Sequence, residues 1–253
     1  MKILGSDFDG TLNYGGMDEE KLSAVAEWRR AGNRFGIISG RGIEFRKTLR
    51  EKFPDLKWDF LAVCNGGYIM DGEGEVVRET RCDGEILSEL TSDLIGWGCK
   101  VVHVIGAQYI CVVERAEDRP PRVDEAAVRL WETKPTAAYF YQVSVRRSTE
   151  EKTLAVVERI REKYGERLTP LQNGLSIDIV PRGVNKAEGL CRVAEFFGCG
   201  RKDVIAVGDN VNDMDMIRAF HSYAMANGVE EIREAAEGVV ESVTELIRRE
   251  LAR

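Results

Sequence analysis

Two aspartates separated by one residue stand at the end of an apolar run near the N-terminus. Asp7 and Asp9 follow the segment Lys2–Ser6, which predicts a short buried strand, and Gly10-Thr11 comes next. Ligands of open α/β sheets bind beyond the carboxyl ends of the strands, so both carboxylates are expected to face a crevice and a bound ligand. The alternative is that both are solvated acids in a turn, where Asp and Gly are common.

A second acidic cluster follows another apolar run. Val204–Val207 predicts a strand, with Asp209 at its end and Asp213 near the start of a helix. If the two strands are neighbours, four carboxylates converge, and their repulsion is on the order of several kcal/mol unless a cation compensates. Mg²⁺ fits best, because it binds a few carboxylates, keeps waters and accepts substrate phosphate as a ligand. Asp213 also has the alternative role of a helix cap, and it can fill both roles.

Two further features suit an anionic ligand. Ser39-Gly40-Arg41 follows the predicted strand Arg34–Ile38 and is expected to open a helix, so the Ser39 hydroxyl and nearby backbone N–H groups can hold phosphate. Lys186 is predicted at the start of a later helix, where its ammonium can reach the same crevice. Taken singly, Ser39 could be a helix cap and Lys186 a solvated surface lysine.

The segments that must position these residues alternate as βαβ units do. Strand Arg34–Ile38, a helix near Ile43–Lys52 and strand Phe60–Val63 follow the first strand, and the same rhythm returns after Pro181 with helix Lys186–Phe197. The pattern predicts an α/β fold whose core is a Rossmann-like, open parallel sheet.

Between these two parts the pattern changes to strands in adjacent pairs. From about Cys82 to Pro181 we predict a helix, two strands, a second helix, a strand, a third helix and two strands, the last two joined at Asn173-Gly174. Such pairs suggest an antiparallel sheet with helices on one face. We therefore expect a core domain of residues 1–81 and 182–253 that is interrupted by an inserted α+β domain of residues 82–181.

The composition argues against some classes of binding partner. The 36 Lys and Arg against 43 Asp and Glu give a net charge of −7, which argues against non-specific nucleic-acid binding. No run is apolar enough for a membrane span, and the N-terminus lacks the apolar segment of a signal peptide. The six cysteines form no CxxC pair, as is typical of buried thiols in a reducing compartment. We expect a cytoplasmic protein, a monomer or homodimer, with neither nucleic acid nor membrane as a partner.

Taken in order, the acidic, serine and lysine segments resemble the four motifs of the haloacid dehalogenase superfamily. They are Asp7-Phe8-Asp9-Gly10-Thr11, Ser39-Gly40-Arg41, Lys186 and Gly208-Asp209-Asn210-Val211-Asn212-Asp213. Asn65-Gly66-Gly67 and Ala224-Met225-Ala226-Asn227-Gly228 are similar to segments of the Cof-type subfamily, which carries a C2-type cap where the inserted domain stands here. Two departures are Ser39, where Thr is commoner, and Lys186-Ala187, where Lys-Gly is usual.

The resemblance implies a Mg²⁺-dependent phosphatase that acts on a small phosphorylated metabolite such as a sugar phosphate. Asp7 would attack phosphorus to form an aspartyl-phosphate, and Asp9 would protonate the leaving oxygen and then deprotonate water. Mg²⁺ would be held by the Asp7 carboxylate, the Asp9 carbonyl, Asp209, and Asp213 directly or through water. Substrate contacts are predicted for Ser39, Gly40, Arg41, Asn65, Lys186 and Asn212. The cap would exclude water and set specificity.

Two alternatives remain at this point. Some sugar phosphomutases resemble this core and cap, and they return the phosphoryl group to a sugar instead of releasing inorganic phosphate. A phospho-acceptor signalling module or a non-catalytic metabolite binder is the other alternative, because receiver domains also gather acids, Mg²⁺ and a lysine on a parallel sheet. Several polar or aromatic residues, among them His103 and Tyr109, could line a cap pocket or be structural.

Overall fold

Short strands and helices alternate along the chain in the computed structural model, which describes residues 1–253. The strands, in chain order, are β1 Ile3–Ser6, β2 Arg34–Ile38, β3 Phe60–Val63, β4 Tyr68–Asp71, β5 Val76–Glu79, β6 Cys82–Asp83, β7 Val101–Gly106, β8 Tyr109–Val113, β9 Val128–Leu130, β10 Tyr139–Arg146, β11 Leu168–Asn173, β12 Ser176–Pro181, β13 Val204–Gly208, β14 His221–Met225 and β15 Gly238–Val240. The helices are α1 Glu19–Arg30, α2 Phe45–Lys52, α3 Leu87–Gly96, α4 Glu150–Tyr164, α5 Lys186–Phe196, α6 Met214–Ala219, α7 Glu230–Ala235 and α8 Val243–Leu251. None of these helices combines the length and the apolar character that a membrane crossing requires.

The chain divides into two units. One, called the core unit here, comprises Met1–Glu79 and Asn185–Arg253, and the other, the inserted unit, comprises Thr80–Val184. The predicted α/β fold class with a Rossmann-like sheet is confirmed. The roles of the two units as catalytic core and cap stay a prediction.

The core unit has one eight-stranded sheet in the order β15-β14-β13-β1-β2-β3-β4-β5. The six strands from β15 to β3 are parallel, and β4 and β5 add an antiparallel hairpin at one edge. The central strand β1 lies between β13 and β2, and its last residue, Ser6, pairs with Val207 on one side and Ile37 on the other. The two chain segments that carry the acidic motifs therefore end side by side.

Close packing against α5 fixes the position of β1. All four residues of β1 are buried, as expected for a central parallel strand covered on both faces. At Gly5, a Cβ atom would lie only 2.4 Å from Leu190 Cδ2, so glycine is what lets α5 approach this closely. Leu190 and Ile3 belong to the same buried apolar cluster. The helix that begins at Lys186 is thus held directly against the strand that ends before Asp7.

The inserted unit is a second sheet in the order β11-β12-β10-β7-β8-β9, with β6 paired to β10. Its strand pairs are antiparallel except β8 and β9, which run parallel, so the prediction of an antiparallel sheet holds for all but that pair. Side chains of α3 and α4 share one buried cluster with alternate residues of β7, β10 and β12. Both helices therefore cover the same face of this sheet.

The helix predicted between β8 and β10 is wrong. The structure has three isolated 3₁₀ turns there, Ala116–Asp118, Glu125–Ala127 and Trp131–Thr133, together with the short strand β9. Pro120 and Pro121 explain the difference, because proline lacks the N–H that a helix interior needs and disfavours helical geometry in the preceding residue.

Candidate active site

Asp7 stands where β1 ends, and the turn after it is built around Asp209. The Asp7 N–H donates to the Val207 carbonyl oxygen at 3.0 Å, which extends the β1–β13 pairing by one residue. Gly10 has φ +82°, and a Cβ there would lie 2.3 Å from Asp209 Oδ2. The Thr11 hydroxyl donates to Asp209 Oδ1 at 2.7 Å. The first motif therefore folds directly onto the last one.

Asp213 is completely buried, and it organises the turn after β13. Its Oδ2 accepts the backbone N–H groups of Asp209 at 3.0 Å and Asn210 at 3.1 Å. Gly208 leaves the space for this carboxylate, since a Cβ at that position would lie 2.5 Å from the carboxyl carbon. Asp213 thus caps the turn through one oxygen and leaves Oδ1 for another partner.

Lys186 is that partner, and it joins Asp213 to Asp7. The lysine is 1% exposed, and its Nζ lies 2.6 Å from Asp7 Oδ1 and 2.5 Å from Asp213 Oδ1. Asn185 caps α5 by accepting the Glu188 N–H at 2.8 Å, which sets where the lysine leaves the backbone. Burial alone would lower the pKa of Lys186, but Asp213 and Asp7 raise it above its ordinary value. The alternative of a solvated surface lysine is therefore wrong.

Three of the four predicted carboxylates converge. One oxygen each from Asp7, Asp209 and Asp213 lies within 4.8 Å of the others. Burial raises the pKa of Asp7 to about 8, Lys186 opposes this, and Asp213 and Asp209 add to it. Burial also raises the pKa of Asp209. When all three carboxylates are ionised, they leave an excess of two negative charges over the one ammonium in a largely buried site, and a hard divalent cation with oxygen ligands fits this donor set.

The carboxylate of Asp9 does not join this cluster, contrary to the expectation that four acids meet. Both of its oxygens bind Arg41, with Arg41 Nε donating to Oδ2 at 2.7 Å and Nη2 donating to Oδ1 at 2.6 Å. The Arg41 guanidinium lies over the rings of Phe8 and Phe45, with 5.5 Å and 4.6 Å to the ring centroids. The Asp9 side chain is 55% exposed. Arg41, predicted to contact substrate, here holds the second aspartate at the edge of the site.

Ser39 is buried in the turn that follows β2. Its N–H donates to the Ala62 carbonyl oxygen at 2.9 Å, and its hydroxyl oxygen accepts the Arg41 N–H at 3.2 Å. The helix after it, α2, begins only at Phe45, so the prediction that Ser39-Gly40-Arg41 opens a helix is wrong. Gly40 lies between Ser39 and Arg41 in the same turn. The Ser39 hydroxyl is the group of this turn that remains for binding an anion.

Asn65 is buried beside this turn in a left-handed backbone conformation. Its N–H donates to the Ser39 carbonyl oxygen at 2.9 Å. Cys64 and Asn65 have φ +50° and +55°, and Gly66 follows at +91°. Two consecutive non-glycine residues in the left-handed conformation are uncommon. This conformation costs free energy, which the surrounding contacts must offset. These two strained residues lie in the segment that contacts the Ser39 turn.

Asn212, predicted to bind substrate, lies half-buried between Asp209 and Asp213. Its side-chain oxygen Oδ1 is buried and has no hydrogen-bond partner. A buried amide oxygen without a donor is costly, so this atom is suited to accept a hydrogen bond from a bound group.

Sequence reasoning missed two residues that shape the site. Thr11 and Asn227 both belong to motif segments, but the sequence predicts no role for either; in the structure the Thr11 hydroxyl fixes Asp209. Asn227 Nδ2 donates to the Gly10 carbonyl oxygen at 2.9 Å and so ties the segment after β14 to the first turn. The pattern Ala226-Asn227-Gly228 at a strand end was a signal for a turn, but nothing in it indicated which backbone atom the amide would bind.

Comparison with known proteins gives a family match over almost the whole chain. The model of the family described as haloacid dehalogenase-like hydrolase matches residues 4–246. Among curated proteins, 5-amino-6-(5-phospho-D-ribitylamino)uracil phosphatase YbjI of Escherichia coli (strain K12) is 24% identical to this chain, and the match covers 99% of this chain and 97% of that protein.

Solved structures show the same fold. A haloacid dehalogenase-like hydrolase from Bacteroides thetaiotaomicron superposes with a TM-score of 0.78 at 22% identity, covering 98% of each chain. The HAD subclass IIB sugar phosphatase BT4131 superposes with a TM-score of 0.79 at 18% identity, covering 100% of each chain.

Proposed function

Because this chain belongs to the haloacid dehalogenase-like hydrolases, we propose that it is a Mg²⁺-dependent phosphatase that hydrolyses small phosphorylated metabolites through an aspartyl-phosphate on Asp7. Its class, a phosphatase of this superfamily, rests on the family match and on full-length relatives that are named phosphatases. The observation that carries the mechanistic proposal is the convergence of the Asp7, Asp209 and Asp213 carboxylates, two of which, Asp7 and Asp213, bind the ammonium of Lys186.

The position of Asp7 supports its role as the nucleophile. It is the carboxylate at the end of the central strand, and its Oδ1 is held by Lys186 at 2.6 Å. In the proposed first step, a carboxylate oxygen of Asp7 attacks phosphorus in line, and the bond from phosphorus to the leaving oxygen breaks. The lysine orients the nucleophile and balances part of the negative charge on the non-bridging phosphoryl oxygens.

The three carboxylates support a metal site. Asp7, Asp209 and Asp213 would hold the ion, and we propose the Asp9 carbonyl as a further ligand. When bound, Mg²⁺ would offset the repulsion between a carboxylate nucleophile and a phosphate dianion. Mg²⁺ is preferred over softer metals because every proposed ligand atom is oxygen.

We propose that Asp9 exchanges protons with the leaving group and then with water. It would donate a proton to the departing alkoxide, and in the second step it would take a proton from the water that attacks the aspartyl-phosphate, which regenerates Asp7 and releases phosphate. Asp9 is two residues from Asp7 on a sharp turn, so it can approach the opposite side of the phosphoryl group. Its pairing with Arg41 means that the carboxylate must share or exchange this partner when substrate binds.

The remaining groups suit the phosphoryl oxygens that do not react. The Ser39 hydroxyl and the Lys186 ammonium supply donors, and the Asn65 and Asn212 side chains supply amides near the same turns. We assign these residues to phosphate binding by their position at the ends of β2, β3 and β13. The inserted unit is proposed to act as the cap that excludes water and sets specificity.

Sugar and sugar-alcohol phosphates are the proposed substrate class. One full-length relative is named for a substrate with phosphate on a ribityl group, and one structural neighbour is described as a sugar phosphatase. We further propose that the enzyme acts in the cytoplasm, since all six cysteines are free thiols. A monomer or a homodimer is the proposed assembly.

The proposal is tested by measuring phosphate release from a panel of phosphorylated metabolites, with Mg²⁺ and with EDTA. We expect turnover of at least one sugar phosphate that EDTA abolishes and that Asp7→Asn lacks. On hexose 1-phosphates, formation of an isomer without release of phosphate would identify a mutase instead.

A further inference from the structure

A cavity of about 690 Å³ opens at one end of the sheet in the inserted unit. Its walls are formed by the first residues of β7 and β12, the last residues of β10 and the loop that leads into α4. The chain enters this unit beside the opposite end of β10, where Cys82 pairs with Phe140, and it leaves the unit just after β12 ends. The cavity therefore lies at the far end of these strands from both chain connections.

The cavity is strongly basic in an acidic protein. Lys100, Arg146, Arg147 and Lys152 line it, and Asp178 is the one carboxylate in its wall. Four positive charges against one negative charge give a local balance of +3, whereas the whole chain carries −7. Some of this charge is offset nearby, because Lys100 lies 3.8 Å from Asp118 and two glutamates begin α4. A local excess of cations in a concave site favours an anionic ligand.

Three of the four cations lack an acidic partner. Arg146 and Lys152 make only long hydrogen bonds of 3.4 Å to the hydroxyls of Ser176 and Ser148. Arg147 donates through Nη1 to the Gly98 carbonyl oxygen, and its buried Nε has no hydrogen-bond partner. A buried donor without an acceptor costs free energy, so a ligand oxygen placed there would stabilise the site.

The rest of the wall is suited to an organic molecule. The hydroxyls of Ser144, Ser148 and Ser176 and the ring of His103 add neutral hydrogen-bonding groups. Val101 and the aliphatic stems of the lysine and arginine side chains supply apolar surface. A phosphate group would contact the cations, while an organic body would lie against these apolar parts.

We propose that this cavity is a second binding site of the enzyme, which takes a phosphate-bearing organic molecule. The site uses none of the residues assigned to phosphoryl transfer at Asp7. Recognition rests on charge-assisted hydrogen bonds from Arg146, Arg147 and Lys152.

Phenylphosphonate is a suitable probe, because its carbon–phosphorus bond is not a substrate for hydrolysis. The chain has two histidines, His103 in the cavity and His221 in the core unit, so the ring NMR resonances of one report on the site and those of the other serve as an internal control. In EDTA, at constant pH and ionic strength, we expect the probe to shift the His103 resonances saturably and to leave His221 unchanged. No shift at His103, or equal shifts at both rings, would overturn the proposal.

A pair of double variants separates specific binding from general attraction. Arg146→Ala with Lys152→Ala removes two exposed cations from the cavity, and we expect it to weaken probe binding at least about tenfold. Arg122→Ala with Arg161→Ala removes two exposed cations elsewhere on the same unit and should bind as the wild type does. Equal weakening of probe binding by both pairs, or no weakening by the first pair, would contradict specific binding of the probe in this cavity. Because His221 lies in the core unit, folding of the inserted unit in each variant is confirmed by circular dichroism and a melting curve that match the wild type.

Discussion

Arg41 holds both carboxylate oxygens of Asp9, at 2.7 Å and 2.6 Å, while the carboxylate of Asp7 two residues earlier binds Lys186. The two aspartates of one turn therefore have different partners, a half-exposed arginine and a buried lysine. Separate environments of this kind allow two chemically identical side chains to take different roles, one as a nucleophile and one as an exchanger of protons.

The first prediction concerns Arg41. Arg41→Ala should lower kcat/KM by roughly 10- to 100-fold, because Asp9 loses the partner that orients it. The thermal stability should change little, since both side chains are partly exposed and such pairs contribute little. Steady-state kinetics and a melting curve measure both effects. Arg192→Ala, which removes an exposed arginine paired with Glu195, is the matched control; an equal loss of activity in the control would contradict the assignment.

The second prediction concerns the proton carried by Asp9. Asp9→Asn should slow turnover of a sugar phosphate by roughly 10²- to 10⁴-fold, because an alkoxide is a poor leaving group without a proton. The first step should be affected far less with p-nitrophenyl phosphate, whose leaving group needs no protonation. Pre-steady-state release of p-nitrophenol separates the steps. If the first step with p-nitrophenyl phosphate slows as much as turnover of the sugar phosphate does, Asp9 does not act as the acid.

The third prediction concerns the buried lysine. Lys186→Met leaves Asp7 and Asp213 without their ammonium, so we expect the free energy of unfolding without metal to fall by about 3–5 kcal/mol. Added Mg²⁺ should raise the melting temperature more in this variant than in the wild type, because a cation then compensates more charge. Lys202→Met, an exposed substitution, controls for loss of a lysine. A variant as stable as the control in EDTA would mean that the lysine does not hold the acids together.

The fourth prediction uses a network remote from the site. The Glu250 carboxylate accepts hydrogen bonds from Lys2 Nζ at 2.9 Å, Tyr223 OH at 2.7 Å and Arg253 Nη1 at 2.6 Å. Burial alone would raise the pKa of Glu250, but hydrogen bonds from Lys2, Tyr223 and His221 lower it to about 2. This depressed pKa contributes stability above the ordinary pKa of 4.5, and the contribution is lost as the pH falls from about 4.5 to 2.

Glu250→Gln should therefore cost about 1–3 kcal/mol at pH 7 and progressively less below pH 4.5. Denaturant unfolding of both proteins across this range measures the difference. Glu241→Gln, at an exposed glutamate, is the control. A difference between wild type and Glu250→Gln that stays constant down to pH 2 would contradict the low pKa.

The meeting of Asp7 and Asp209 could be predicted from the sequence, because two apolar runs that each end in an acid are typical of parallel strands that share a carboxyl edge. The pairing of Ser6 with Val207 realises this expectation. The environment of Lys186 could not be predicted, because a lone lysine at a helix start fits both a surface and a buried position. Only the close contact of α5 with β1 at Gly5 decides between them.

The side-chain partner of Asp9 could not be predicted from the sequence either. Spacing places its backbone beside Asp7, but the direction of the side chain depends on Arg41, whose own position depends on the rings of Phe8 and Phe45. In the inserted unit, five of the seven strands, β7, β8, β10, β11 and β12, were predicted, and the short strands β6 and β9 were not. The helix predicted before β10 is wrong, because Pro120-Pro121 is incompatible with a helix interior at this point of the chain.

The most direct test of the account is to trap the phosphoryl group on the enzyme. Asp9→Asn should slow hydrolysis of the aspartyl-phosphate, so this variant is mixed with p-nitrophenyl phosphate and Mg²⁺, quenched in acid and analysed by peptide mass spectrometry. We predict a phosphoryl group on Asp7, and none when Asp7→Asn is combined with it. Phosphate release without any modified Asp7, or modification of a different residue, would contradict the central claim.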